Sequence, residues 1–153
     1  MKNITWRHIG LFVLIAVIFF VADRAAKEYV LRAFDPPFII IPGFFSLVSQ
    51  ENPGIAFGIR LPFFVQLILT PVLLVVGMKL LIDHFQMDRW YVLFVVGIIT
   101  GGALSNFVDR LMYGAVIDYI SVWRYPVFNI ADMGIVVGIF ILFLFYGKIK
   151  RVN

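Results

Sequence analysis

Long uncharged apolar runs separated by short polar connections set the pattern of this chain. Leu61 to Met78 gives eighteen uncharged residues and Trp90 to Val108 nineteen, each near the ~20 that a helix needs to cross hydrocarbon. The first run, Ile9 to Ala22, follows Lys2 and Arg7 and taken alone has the form of a signal-peptide core. It ends, however, in Asp23-Arg24 without a small-x-small cleavage site, and the helix-compatible ADRAAKEYVLRA continues it. An uncleaved first transmembrane helix is therefore expected. Met133 to Gly147 supplies fifteen more residues, about 22 Å at 1.5 Å per residue, so a fourth span requires a start near Asn129. The expected transmembrane helices are about 9–30, 61–82, 90–108 and 129–147.

Phe38 to Ile59 has a different texture. It is rich in β-branched and aromatic residues and is punctuated by Pro42-Gly43 and Pro53-Gly54, the signature of short strands and turns. A small β element over about 38–59 is expected outside the membrane, and the 109–132 connection is expected to be a loop. The predicted fold is a membrane all-α domain of four transmembrane helices with a short extracytoplasmic β-cradle, the whole of 1–153 forming one unit.

Charge orients this arrangement. Residues 2, 7, 79, 89, 148, 150 and 151 are seven Lys/Arg that share one face with only two acids, Asp83 and Asp88. The bias of Lys and Arg toward the cytoplasm places both termini there. The net charge of +4 comes with no long basic run, so nucleic acid is not the implied partner. Cysteine is absent, and His8 and His84 form no HExxH pattern, which removes thiolate and zinc chemistry; no metal or cofactor is expected. Gly97 with Gly101, and Gly134 with Gly138, have the GxxxG spacing of closely packed helices. Trp90 and Tyr91, and Trp123 and Tyr125, suit interfacial belts on opposite sides.

The polar residues concentrate between Thr100 and Met133, a segment with three aspartates, two asparagines and two arginines. An ionisable group at membrane depth costs ~2.5–3.5 kcal/mol on insertion scales, so such a cluster needs a reason. With the termini inside, Asp23, Asn52, Asn106, Asp109, Asp118, Asn129 and Asp132 all fall toward the outer face. Asn106, Asp109 and Arg110 share one face if the third helix continues through them, as Asn129 and Asp132 do at the start of the fourth. Arg110, adjacent to Asp109, is its conservative ion-pair partner. Asp118 and Asp132 have no adjacent base and sit in apolar contexts. Two carboxyls brought together there cannot both ionise, and a pair sharing one proton is the working state of an aspartic protease. Intramembrane carboxylates also serve proton-coupled carriers, and a polar cluster also serves a non-enzymatic assembly factor.

The ordered blocks DRAAK at 23–27, ENPGIAFG at 51–58, GGALSNFVDRLMYGAVIDY at 101–119 and FNIAD at 128–132 resemble those of the bacterial lipoprotein signal peptidase (signal peptidase II) family. The similarity runs from Asp23 to about Gly138. It implies a membrane aspartyl protease with Asp118 and Asp132 as the catalytic dyad and with Asp23, Asn52, Asn106, Asp109, Arg110 and Asn129 as the supporting, substrate-binding shell. The implied substrate is a diacylglyceryl-modified prolipoprotein, held together with membrane lipid and cut on the N-terminal side of the modified cysteine. Cyclic peptides of the globomycin type are the implied inhibitors, and the bacterial inner membrane is the implied location. Ser105, Met133 and Ala26 depart from the residues usual in the family, and none of them removes a carboxylate.

Overall fold

The computed structural model describes residues 4–54 and 61–150. Eight elements follow in order: α1 (Trp6–Ala33), β1 (Phe38–Ile41), β2 (Phe45–Asn52), α2 (Phe63–His84), α3 (Trp90–Tyr113), β3 (Val116–Val122), α4 (Ile130–Leu144) and the short α5 (Tyr146–Ile149). The architecture is mostly helical with one small sheet, as the apolar runs predict. Residues 55–59 of the expected β region lie outside the described residues.

Helix ends follow local chemistry. α1 carries its apolar run straight through the charged ADRAAKEY stretch for 28 residues, about 42 Å. α3 continues past Val108 to Tyr113 and stops at Gly114, whose φ of +74° closes the helix with its N–H donating to the Arg110 carbonyl. α4 begins at an asparagine cap, the Asn129 side chain accepting the Asp132 N–H at 2.8 Å. α1, α2 and α3 are long and apolar enough to cross a membrane; α4, at 15 residues, is a shorter apolar helix.

α3 is the central post. A Cβ added at Gly101 would lie 2.4 Å from the Ala16 carbonyl oxygen of α1, and one at Gly102 would lie 2.9 Å from the Ala131 carbonyl oxygen of α4. Both neighbouring helices therefore meet α3 backbone to backbone, which only glycine permits. At the other end of the helices, Met87, Val92, Leu93, Val96, Leu142 and Ile149 form an apolar core. α2 stands apart. Gln66 is its one buried side chain among the described residues, and an apolar groove of about 810 Å³ separates it from α3 and α4.

The sheet is antiparallel in the order β1-β2-β3, with Phe45 opposite Val122, Gln50 opposite Asp118 and Asn52 opposite Val116. β3 corrects the sequence reading, which left 109–132 as a loop. Val116 to Tyr119 are all buried, so the usual contrast of one apolar and one polar face is lost, and Asp118 breaks the remaining apolar run. Phe128 extends the pairing beyond β3 through two-way backbone bonds with Ile120.

Candidate active site

α1 positions the first polar group. Asp23 and Lys27, one turn apart, project from the same face, and both side chains are fully buried. The Lys27 ammonium lies 2.7 Å from Asp23 Oδ2 and 2.7 Å from Asp109 Oδ2 on α3, and it donates to Asn106 Oδ1 at 2.8 Å. Arg24 pairs with the other Asp109 oxygen. Ser105 Oγ donates to Asp23 Oδ2 at 2.6 Å. Two cations thus face two carboxylates, which is the condition for keeping such charges out of water. Both carboxylates are also structural ties. Asp23 Oδ1 accepts the Ala131 N–H of α4 at 3.0 Å, and Asp109 Oδ2 accepts the Ile117 N–H of β3 at 3.2 Å.

A second layer lies on this one and holds the other two aspartates. Asn129 Nδ2 donates to Asp118 Oδ1 at 2.7 Å and to Asn106 Oδ1 at 3.2 Å. Asn106 Nδ2 in turn donates to Asp132 Oδ1 at 2.8 Å. Asp118, from β3, and Asp132, from the first turn of α4, are therefore joined through two asparagine amides. Asn52 on β2 donates to Asp118 Oδ2 at 2.8 Å, while its own oxygen accepts the Gly54 N–H at 3.0 Å. Among the described residues the side-chain hydrogen bond to Asp132 falls on Oδ1. Burial pushes the Asp118 carboxyl up to about 6, the Asn52 hydrogen bond opposes this, and the Asp132 charge adds to it.

Arg110 does not pair with Asp109, contrary to the reading from adjacency. Its Nε donates to Gln66 Oε1 at 3.0 Å, its Nη1 to the Asn106 carbonyl at 3.1 Å and its Nη2 to the Gly54 carbonyl at 3.3 Å. Adjacent helical residues point about 100° apart, so a side chain facing α1 and one facing α2 are natural neighbours in sequence. Gln66 completes the corner by donating to the Pro53 carbonyl at 2.8 Å and the Leu61 carbonyl at 2.7 Å. Gln66 and Arg110 form one end of the apolar groove, and His84 and Tyr146 are among the residues at its other end.

A family model described as signal peptidase (SPase) II matches residues 15–147. The chain belongs to the signal peptidase II family. It is accordingly a hydrolase, a multi-pass membrane peptidase whose family cleaves signal peptides from prolipoproteins. A lipoprotein signal peptidase of Chlorobaculum parvum is 34% identical over 90% of this chain and 96% of its own length. One from Pelotomaculum thermopropionicum is 39% identical over 86% of this chain and 88% of its own. A solved structure of a bacterial membrane enzyme, obtained by the in meso method at 2.3 Å resolution, has a TM-score of 0.78 and 28% identity, covering 95% of this chain and 96% of that one.

All eight site residues named from the sequence come together. Asp23 and Asp109 lie in the inner charged layer, Asn106 bridges the layers, and Asn52, Asp118, Asn129 and Asp132 form the outer one with Arg110 beside it. The sequence reading did not name Lys27, Arg24, Ser105 or Gln66 among them. Lys27 carried a signal, its i,i+4 spacing from Asp23 on a helix that continues through both. Gln66, a lone amide in the run from Leu61 to Met78, carried none beyond its polarity.

Proposed function

We propose that the chain is an aspartic endopeptidase that removes the signal peptide from diacylglyceryl-modified prolipoproteins, cutting N-terminal to the modified cysteine, with Asp118 and Asp132 as its catalytic dyad. The observation that carries this reading is the pair of carboxylates held on two different elements through the Asn129–Asn106 relay, beside Arg110, which lines one end of an apolar groove. The inner layer balances its own charges, Lys27 and Arg24 against Asp23 and Asp109. The outer layer has Arg110 near two aspartates, so one shared proton makes it neutral. That is the protonation state the chemistry needs.

In the proposed reaction the ionised carboxylate takes a proton from water as the water oxygen attacks the scissile carbonyl, and the protonated carboxyl donates to the carbonyl oxygen. Collapse of the tetrahedral diol expels the cysteine amine, which receives the proton first taken from water. Asn106 and Asn129 fix the dyad, Asn52 orients Asp118, and Asp23, Asp109 and Lys27 hold the helices that carry them. Arg110 faces the substrate beside Gly54.

In the same proposal the chain crosses the inner membrane four times as one domain, with both termini cytoplasmic and the dyad at the extracytoplasmic face. The distribution of Lys and Arg supports this orientation. Lipid and the apolar part of the substrate then occupy the groove, and a globomycin-type cyclic peptide competes with them at the dyad. Incubating the purified protein with a diacylglyceryl prolipoprotein and locating the cut by mass spectrometry tests the reading. A new N-terminus at the lipidated cysteine is expected, and an intact substrate or a cut elsewhere refutes it.

A further inference from the structure

The outer strand of the sheet carries a surface for which peptidase chemistry has no use. β1 is Phe-Ile-Ile-Ile, and all four side chains are exposed, Phe38 by 56% and Ile39 by 62%. Successive residues of a strand point to opposite faces, so both faces of β1 are apolar and uncovered. β1 is also an edge of the sheet, and a bare hydrophobic edge in water is a site of aggregation.

Two features connect this strand to the bilayer. Leu14, Ile18, Val21, Ala25 and Tyr29 are exposed along one face of α1, the lipid side of a membrane helix. The Tyr29 ring meets Phe34 edge-on at 5.7 Å, and Phe34 stacks on Phe38 at 5.9 Å. This ladder of rings runs from the lipid face of α1 onto β1. On the far side of the β1–β2 turn, the Phe44 carbonyl accepts the Trp123 N–H at 2.6 Å. Trp123 is 68% exposed, the Arg124 guanidinium sits 5.4 Å over its ring, and Tyr125 is exposed beside them. An aromatic pair with a cation is the composition of a headgroup-level anchor.

The depth follows from two opposing constraints. An open sheet edge does not occur in hydrocarbon, where its backbone groups find no partner. Four bare apolar side chains are unfavourable in bulk water. The interfacial layer satisfies both. We propose that β1 and the Trp123–Tyr125 turn form a membrane-seating surface, whose partner is phospholipid of the bilayer interface. β1 is one edge of the sheet and the Trp123–Tyr125 turn continues β3 at the other edge, so the two anchors fix the depth of β3 and with it Asp118, roughly two strand spacings or ~10 Å from β1. That last consequence rests on the peptidase reading, whereas the surface itself does not.

The test uses the whole protein in phosphatidylcholine vesicles brominated at a shallow or a deep acyl position. One variant, Trp6→Phe with Trp90→Phe, keeps Trp123 as sole reporter. A second replaces all three tryptophans by Phe and adds Ile40→Trp; circular dichroism confirms that both fold. Each reporter should lose roughly half or more of its emission to shallow bromines and clearly less to deep ones, as befits side chains ~5–10 Å into the interface. Quenching by aqueous iodide with no response to bromine would overturn the proposal, and so would emission that depends on protein dilution alone, the mark of a second copy. The measurement needs no substrate, so its failure is separable from failure of the peptidase assignment.

Discussion

Replacing Asp118 by asparagine should remove the loss of stability that the parent suffers between pH 3.8 and about 6, while abolishing its activity. The Asp118 carboxyl titrates near 6 rather than 3.8, chiefly because it is buried. Each unit is ~1.4 kcal/mol, so ionising it in the folded state costs about 3 kcal/mol. Asparagine cannot ionise, so it removes this cost. Its NH2 only donates, however, so it keeps one of the two hydrogen bonds that Asn52 and Asn129 donate to the carboxyl oxygens and sets the other donor against its own amide at every pH, a loss of ~1–3 kcal/mol. The sign follows from linkage: with the folded value above the unfolded one, the parent loses stability as pH rises from 3.8 through about 6. The stability of Asp118→Asn relative to the parent should therefore rise by about 3 kcal/mol between pH 3.8 and values above about 6, or ~6–12 °C for a chain of this size, on top of the constant loss. Thermal unfolding in detergent across pH 3.5 to 8 reads it. A difference from the parent that does not vary with pH would refute the claim that this carboxylate is held against its solvation.

Lys27→Met should destabilise the protein by ~3–5 kcal/mol, because it leaves Asp23 and part of Asp109 buried without their cation; thermal unfolding checks it, and a Lys27→Arg variant should not restore full stability in a site with no exposed surface. Asn52→Leu removes the hydrogen bond that most favours the ionised form of Asp118, so the limb of the kcat/KM profile near pH 6 should move alkaline by about one unit, the equivalent of a charge-assisted bond of ~1.5 kcal/mol; an unmoved limb would assign it to another group. Gly101→Ala drives a methyl toward the Ala16 carbonyl and should cost ~1–3 kcal/mol of stability, whereas Gly77→Ala, where nothing lies within 4 Å, should cost little by the same melt.

The helices were legible in the sequence because membrane spans need long uncharged runs, and α2 and α3 announce themselves by exclusion of charge. The first two strands were legible from their β-branched content and their Pro-Gly turns. β3 was not, because its first four residues are buried on both faces and Asp118 among them breaks the apolar pattern. The site residues were legible as a polar cluster, but their pairing was not. Adjacency suggested Arg110 for Asp109, while the actual partners, Arg24 and Lys27, lie more than eighty positions away. Helix geometry makes the distant pair natural and the adjacent one improbable. Gln66, whose amide joins Arg110 to Pro53 and Leu61, has meaning only once α2 is placed beside α3.

The central claim is that Asp118 and Asp132 together perform the cleavage. Its most direct test is the rate at which purified parent, Asp118→Asn and Asp132→Asn proteins cut a diacylglyceryl prolipoprotein in the same bilayer, each variant first confirmed as folded. The dyad requires that either substitution reduce the rate by at least ~10³, comparable to loss of an essential acid–base group. Cleavage by either variant within tenfold of the parent would contradict it.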